Sequence, residues 1–185
     1  MPPHGSSDSA PELSFRALTR PVPDGWQPTT AVPDSFYLQY HEQRIADVLV
    51  HIGSEENPLR CLLLPRAFAS PLLRDVVCAL SAMHYYRNIS GELSAKAAAF
   101  GYYDSAVKTL QYFLQDMYHR GWQSRPRPCS TEDLLLAVTW LGVYEVTWSR
   151  STNWRSHLNA LRDLIAHSDV GCKVDPEVMR FVVSM

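Results

Sequence analysis

The sequence lacks most features that mark metal-binding, redox or membrane-spanning proteins. Its four cysteines, Cys61, Cys78, Cys129 and Cys172, lie far apart and never form CxxC, which removes the usual spacings of zinc fingers and redox motifs. No run reaches the roughly 18 consecutive apolar residues that a membrane helix needs, and the first thirty residues lack the apolar segment of a signal peptide. We therefore expect a soluble, intracellular protein with free buried thiols, no metal and no membrane partner.

An excess of positive charge is also missing. The formal net charge is −2, so the whole chain offers no positive field that would hold a polyphosphate backbone. No glycine-rich loop of either nucleotide-binding type is present. The sequence predicts no direct nucleic-acid contact, no DNA-binding residues and no cofactor.

Residues that could carry catalysis are present, but without the spacing that catalysis needs. His84, His157 and Cys78 could be combined with Asp75 or Glu145 into a nucleophile and base, yet no nucleophile elbow occurs. The segments HEQR and HYYR do not place two metal ligands at i and i+4. We predict no catalytic residues, no metal ligands and no enzymatic activity.

The chain does have proline, and it is concentrated at one end. Seven of the thirteen prolines fall between Pro2 and Pro33, where no helical or alternating apolar period survives. Hydrophobic residues make up 46% of the sequence and charged residues 19%, as in a globular protein. We expect a flexible leader over residues 1–33 and one helical domain over residues 34–185.

Helical periods with start and stop signals follow one another after the leader. Asp34 or Ser35 can cap a first helix that ends near Gly53, and Ser70 and Ser130 can cap later helices. Further helices are predicted in NPLRCLLLPRAF, SPLLRDVVCALSAMHYYR, the region from Leu93 to Tyr118, CSTEDLLLAVTWLGVYEVTW, the region around WRSHLNALRDLI, and DPEVMRFVVSM. No window alternates like a strand, so the predicted fold is all-α, with antiparallel helix pairs in an irregular bundle.

The apolar spacing also predicts which helix faces are buried. In the long helix the predicted buried stripe is Leu93, Ala97, Phe100, Tyr103, Val107, Leu110, Leu114 and Met117. In the next-to-last helix it is Trp154, Leu158, Leu161 and Ile165. The last helix carries Met179, Phe181, Val182 and Val183 with no later segment to cover them. We therefore expect an exposed C-terminal helix through which the chain self-associates or binds other proteins.

One segment, YEVTWSRSTNWRSHLNALRDLI, concentrates aromatic and polar residues at a predicted helical hairpin. Tyr144 and Trp148 stand at i and i+4 before the turn, and Trp154 and His157 follow it. The aromatic rings are expected to face one another across the hairpin, with His157 bonded to a backbone carbonyl or to Glu145. This set of five residues, called the hairpin cluster below, is predicted to hold helices together; a ligand-contacting role for His157 stays open.

Several blocks resemble, in order, the fungal-specific transcription factor domain. The blocks are FYLQYHEQRIADVL, NPLRCLLLPRAFASPLLRDVVCALSAMHYY, AFGYYDSAVKTLQYFL, DLLLAVTWLGVYEV and NWRSHLNALRDLI, and the resemblance covers about Ser35 to Ile165. That domain is the helical regulatory region downstream of a six-cysteine zinc cluster in fungal activators. No position in this sequence matches the cysteine cluster, and Asn159 stands where the family usually has glycine.

The resemblance implies a regulator of transcription, located in the nucleus or, failing that, in the cytoplasm. It implies action through other proteins or through a small inducer, with no DNA-binding element in this chain. Because the family's helical region normally continues further, the chain is expected to be a partial domain. The alternative is a helical protein-interaction scaffold unrelated to transcription.

Overall fold

Helices account for all regular structure in the described part of the chain. The computed structural model describes residues 33–49, 57–120, 129–149, 154–168 and 174–184, and no strand occurs among them. The α-helices are α1 (Pro33–Tyr40), α2 (Ala46–Leu49), α3 (Leu64–Ala69), α4 (Pro71–Tyr85), α5 (Leu93–Arg120), α6 (Thr131–Tyr144), α7 (Trp154–Ser168) and α8 (Pro176–Ser184). Four π-helical turns accompany them: His41–Ile45, Leu59–Leu63, Tyr86–Ser90 and Glu145–Ser149. The predicted all-α class is confirmed.

Most of the helix starts are those that the sequence predicts. The Ser130 hydroxyl accepts a hydrogen bond of 3.0 Å from the Asp133 amide at the start of α6. Ser70 precedes α4 with extended backbone, and Pro71 takes the first helical position. The first helix begins at Pro33, a residue that the sequence analysis assigns to the leader and that precedes both predicted caps, Asp34 and Ser35.

Helix α6 is the centre of the bundle, as its nearly uninterrupted apolar sequence predicts. It contacts α4, α5, α7 and α8. Its fully buried side chains are Leu134, Leu135, Leu136, Ala137, Val138, Trp140 and Leu141. A helix that is apolar on every face has to be covered on every face, and these four neighbours cover α6.

The first turns of α5 bury a different face from the predicted one, whereas the second half buries Leu110 as predicted. Leu93 is 74% exposed and Phe100 is 51% exposed, although both were assigned to the buried stripe. The buried residues in this part of the helix are Ala95, Ala99 and Ala106. Alanine has the smallest side chain able to line a helix face, so the backbone of α5 can approach α4 closely along it. Large apolar side chains therefore point outward at the start of α5.

The predicted buried face of α7 is correct only in part, since Leu161 and Ile165 pack against the core as predicted. Leu158, assigned to the buried stripe, is 53% exposed, while Leu164 is 1% exposed. His157 is half-buried and its Cβ lies 3.7 Å from where a Cβ would stand on Gly142 of α6. The buried face of α7 is thus rotated by about one residue toward His157 and Leu164. Arg155 and Arg162 lie on the opposite, exposed face of α7.

The prediction of an exposed C-terminal helix is wrong. Val178, Phe181 and Val182 of α8 are buried, and the Phe181 ring lies 6.1 Å from the Trp140 ring of α6, measured between centroids. Only Val183 among the large apolar side chains of α8 is strongly exposed. The apolar surface of α6 covers the buried face of α8.

A polar cluster fixes the start of α8. The Asp175 carboxylate caps the helix by accepting a bond of 2.9 Å from the Glu177 amide. The Asp175 amide donates to Glu132 Oε1 at 2.9 Å, and the second oxygen of that carboxylate accepts from Arg66 Nη1 at 2.9 Å. The first turns of α6 and α8 are therefore tied to α3.

Some predictions concern residues outside the described ranges. They include the leader up to residue 32, the end of the first helix near Gly53 and the thiol of Cys172. Of the other cysteines, Cys78 and Cys129 are buried as predicted, but Cys61 is exposed. Within the described residues, the helices are all too short or too polar to cross a bilayer.

Candidate functional site: an aromatic pocket between two π-helical turns

A pocket of about 630 Å³ opens where α4 and α6 end against the first turns of α5. Its wall consists largely of five aromatic side chains, Tyr86, Phe100, Tyr103, Tyr144 and Trp148. Two cations and one carboxylate also line it, namely Arg87, Lys96 and Glu145. The volume is within the range of pockets that hold small organic ligands. We call this space the aromatic pocket.

The turn between α4 and α5 positions one side of the pocket. Gly91 adopts the left-handed conformation, with φ of 64°, and its amide bonds the Tyr86 carbonyl at 2.9 Å. This ends the π-helical turn that carries Arg87 and redirects the chain into α5. Lys96 and Phe100 then face the pocket from the first two turns of α5.

The opposite side of the pocket is built on a stacked pair of tyrosines. The rings of Tyr103 and Tyr144 lie 4.7 Å apart at an interplanar angle of 22°. The Tyr103 hydroxyl donates a hydrogen bond to Glu145 Oε1, and Glu145 is only 2% exposed. Burial, followed by this bond to a carboxylate, raises the pKa of Tyr103 well above its ordinary value. Tyr103 therefore stays protonated and keeps donating to Glu145.

Both cations are held against aromatic faces. The Arg87 guanidinium lies 5.4 Å from the centre of the Trp148 ring, and the Lys96 ammonium lies 5.7 Å from Tyr86 and 6.0 Å from Phe100. Within the described residues, no carboxylate forms an ion pair with either cation. Arg87 Nη2 also donates a hydrogen bond of 3.4 Å to the Trp148 carbonyl. Each cation therefore brings to the pocket a positive charge that no described carboxylate neutralises in an ion pair.

One buried polar group in the pocket has no partner. Tyr144 is 3% exposed, and its hydroxyl makes no hydrogen bond to any described residue. Burial raises its pKa to about 12, while the positive charge of Arg87 acts in the opposite direction. At neutral pH the group is a neutral hydroxyl that can donate or accept. Such groups are uncommon in folded proteins, because each costs free energy when left unbonded.

The structure divides the hairpin cluster between two spaces. Tyr144, Glu145 and Trp148 line the aromatic pocket. Trp154 and His157 line a separate groove of about 370 Å³ between α6, α7 and α8. Burial lowers the pKa of His157, and the negative charge of Glu145 opposes that change. The Trp148 ring meets the His84 ring of α4 edge to face at 6.1 Å.

The other residues considered for chemistry do not gather into a reactive centre. Burial raises the pKa of the Cys78 thiol far above its ordinary value, and its Sγ faces the Asp34 carbonyl at 3.8 Å. His84 instead pairs with the Tyr40 hydroxyl, at 2.8 Å from Nδ1. Across the described ranges, no three His, Cys, Asp or Glu residues are grouped as a metal site would require.

Of the residues that line this pocket, the sequence analysis singles out only Tyr144, Glu145 and Trp148. It assigns Phe100 and Tyr103 to a buried stripe and Lys96 to no site, although these three residues follow one helical face at spacings of four and three. A cation that recurs beside aromatics on one face is a usable signal. This pattern alone does not locate a pocket, because Arg87 and Trp148 form the opposite wall. The π-helical turns that place them there have no clear sequence pattern.

Comparison with known proteins identifies one family. The model of the fungal specific transcription factor domain matches residues 36–177, which is more than half of the chain. No curated protein and no solved structure matches the sequence. The match confirms the resemblance predicted from the sequence blocks and includes every residue that lines the aromatic pocket.

Proposed function

Since the chain belongs to the family of fungal specific transcription factor domains, we propose that it regulates transcription by binding a small inducer in the aromatic pocket. Family membership supports the transcription-regulatory role. The pocket supports the finer part of the proposal, because it combines a volume of about 630 Å³ with aromatic walls and a few polar groups.

The observation that carries the proposal is the buried Tyr144 hydroxyl. Tyr144 lines a space large enough for a ligand, and its buried hydroxyl has no hydrogen-bond partner among the described residues. An unbonded buried hydroxyl costs stability, so a fold gains nothing by keeping it. A ligand that bonds this hydroxyl would recover that free energy.

The position of the pocket supports a regulatory use of binding. A ligand there would touch the turn Tyr86–Ser90, the first turns of α5 and the turn Glu145–Ser149 together. These segments connect the main helices of the bundle. A ligand that binds one arrangement of them more tightly than another shifts the population toward that arrangement.

Nuclear location and indirect action on DNA complete the proposal. A net charge of −2 gives the chain no general attraction for nucleic acid. We expect the purified chain to give no sequence-dependent gel shift with duplex DNA at moderate salt. A sequence-dependent complex would require a DNA-reading helix that the proposal does not include.

A second candidate, protein binding, is favoured by the groove between α6, α7 and α8. Val146 is 66% exposed and Leu158 is 53% exposed at its edge. Two exposed apolar side chains beside an apolar groove are a surface on which a partner protein can bury area. Val146→Asp would weaken such binding without touching the aromatic pocket.

The experiment that tests the proposed function is a tethered reporter assay in a fungal cell. The full chain is fused to an unrelated DNA-binding domain, and reporter output is compared for the wild type, Tyr144→Phe and Tyr112→Phe. Tyr112 is 62% exposed on α5 and serves as the control. We expect the wild-type fusion to change reporter output. Tyr144→Phe should alter the size of this effect, whereas Tyr112→Phe should leave it as in the wild type.

Protein stability separates a ligand contact from a folding defect. Tyr144→Phe keeps the ring stacked on Tyr103 and removes only the unbonded hydroxyl, so the melting temperature should not fall. Altered reporter output at unchanged stability supports the pocket. A fusion with no effect on the reporter would count against the regulatory role itself.

A further inference from the structure

We propose that the ligand of the aromatic pocket is a planar aromatic carboxylate. This inference rests on the proposed function and names the chemical class of ligand for the same site. It follows from three features of the pocket: the flat aromatic surface, the two cations and the unbonded hydroxyl.

The aromatic surface selects a flat ligand. Phe100 lines the space from α5, and the Tyr103 and Tyr144 rings are nearly parallel, with centroids 4.7 Å apart. Aromatic rings associate best in offset-stacked or edge-to-face arrangements, which a flat ring can adopt against several of these walls together. A flexible aliphatic chain would bury similar area without these ring contacts and would lose more conformational freedom.

The two cations select a negative group on that ligand. Arg87 and Lys96 both line the pocket, and within the described residues neither is paired with a carboxylate. Guanidinium and ammonium groups form short, strong hydrogen bonds with carboxylates, and a guanidinium can bind both oxygens. The ring contacts at 5.4 to 6.0 Å hold the cations at the wall, where a ligand carboxylate can reach them.

Glu145 does not reverse this selection. Its carboxylate is 2% exposed and accepts the hydrogen bond of the Tyr103 hydroxyl, so part of its charge is already compensated. Two cations against one such carboxylate leave the lining positive. A cationic ligand would also have to compete with Arg87 and Lys96 for the same ring faces.

The Tyr144 hydroxyl completes the match. This neutral hydroxyl is buried in the wall beside Arg87 without a partner, so a ligand oxygen that reaches it on binding would accept a hydrogen bond that the free protein lacks. Each feature of the pocket thus matches one part of the ligand. The aromatic walls contact its ring, the two cations bind its carboxylate, and the Tyr144 hydroxyl matches a further oxygen.

Three ligands of equal ring size and different charge test this class. They are 2-naphthoate, 2-naphthalenemethanol and 2-naphthylmethylammonium, each titrated into the full chain by calorimetry. We expect 2-naphthoate to bind at least about tenfold more tightly than the neutral alcohol, the ratio that one modest charge-assisted bond supplies. The ammonium compound should bind most weakly.

Charge variants identify the residues responsible. Arg87→Gln and Lys96→Gln should each weaken 2-naphthoate binding by about tenfold and leave binding of the alcohol unchanged. Lys108→Gln is the control, because Lys108 is an exposed lysine of the same helix that pairs with Asp104 at 2.6 Å. An equal loss in all three variants would show that only general charge matters and would overturn the assignment.

The outcomes separate this inference from the proposed function. If the alcohol or the ammonium compound binds as tightly as 2-naphthoate, the ligand class is wrong while the pocket still binds small molecules. If none of the three binds at millimolar concentration, both the ligand class and the inducer pocket are wrong. Binding of 2-naphthoate that depends on Arg87 and Lys96 supports both.

Discussion

Trp140 of α6 and Phe181 of α8 pack ring against ring, with centroids 6.1 Å apart and planes inclined by 35°. Trp140 is fully buried and Phe181 is 7% exposed. The contact joins the central helix of the bundle to the last helix of the described chain, some forty residues later in sequence. The last helix is therefore part of the core.

Phe181→Ala should lower the free energy of unfolding by about 3 kcal/mol, because it removes a large buried ring and leaves a cavity over Trp140. Val183→Ala is the matched control on the same helix. Val183 is 72% exposed, so its truncation should change stability by less than about 0.5 kcal/mol. Urea unfolding followed by circular dichroism measures both; similar midpoints for the two variants would mean that α8 is not docked.

A chain ended after Val174 should be less stable and should aggregate more than the full chain. Removal of α8 uncovers apolar surface of α6, including Trp140, which then becomes available to other molecules. Light scattering at tens of micromolar compares the two proteins. A shortened chain that stays better dispersed than the full one would restore the idea of an exposed, self-associating C-terminal helix.

The two leucines of α7 test its corrected orientation. Leu164→Ala should cost about 2 to 5 kcal/mol, the range for a buried leucine, since its side chain is 1% exposed. Leu158→Ala, at 53% exposure, should cost less than about 1 kcal/mol. The comparison holds residue type and helix constant, so denaturation midpoints report burial alone. A larger loss for Leu158→Ala would favour the face predicted from the sequence.

The sequence predicts helix positions well because the signals are local. Ser130, Pro71 and Asp175 start their helices through bonds or geometry within one turn, which the residues themselves specify. The face that each helix buries is harder to predict from the sequence. Ala99 and Ala106 of α5 are buried because α4 approaches closely, and no local pattern reports that approach.

The candidate site depends even more on tertiary arrangement. Tyr144 and Trp148 could be singled out as an aromatic pair one helical turn apart. Their pocket partners Arg87 and Lys96 come from a different helix pair, and only the folded chain brings them together. A sequence pattern identifies faces of single helices, whereas a pocket is formed by faces of several.

Two glycine substitutions should have opposite signs. Gly91 has φ of 64°, which side-chain-bearing residues rarely adopt, so Gly91→Ala should destabilise the fold by about 1 kcal/mol. Gly101 is exposed inside α5, and a Cβ there meets nothing within 4 Å. Gly101→Ala should therefore stabilise by about 0.5 to 1 kcal/mol. Thermal unfolding measures the stability change of each variant. Changes of the same sign for the two variants would contradict the left-handed backbone conformation of Gly91 in the α4–α5 turn.

The stability of the fold should fall as pH drops from about 6.5 toward 4, and His41 should contribute to that fall. His41 is fully buried, with no hydrogen-bond partner for either ring nitrogen among the described residues. Burial, followed by the positive charges of Arg60 and His84, lowers its pKa to about 3. His84 behaves similarly, since burial lowers its pKa to about 4.

The sign follows from proton uptake. An unfolded histidine has a pKa near 6.5, so below that pH the unfolded chain binds a proton that folded His41 excludes. Each such histidine therefore removes up to about 1.4 kcal/mol of stability per pH unit between its unfolded and folded pKa values. His41→Leu should reduce the number of protons taken up on unfolding by about one, and so make the free energy of unfolding less dependent on pH. It should cost little stability at pH 7, because it removes two ring nitrogens that have no hydrogen-bond partner among the described residues. Urea unfolding at intervals between pH 7 and pH 4.5 gives both slopes, and an identical slope in wild type and variant would place a proton or a polar partner on His41 in the folded state.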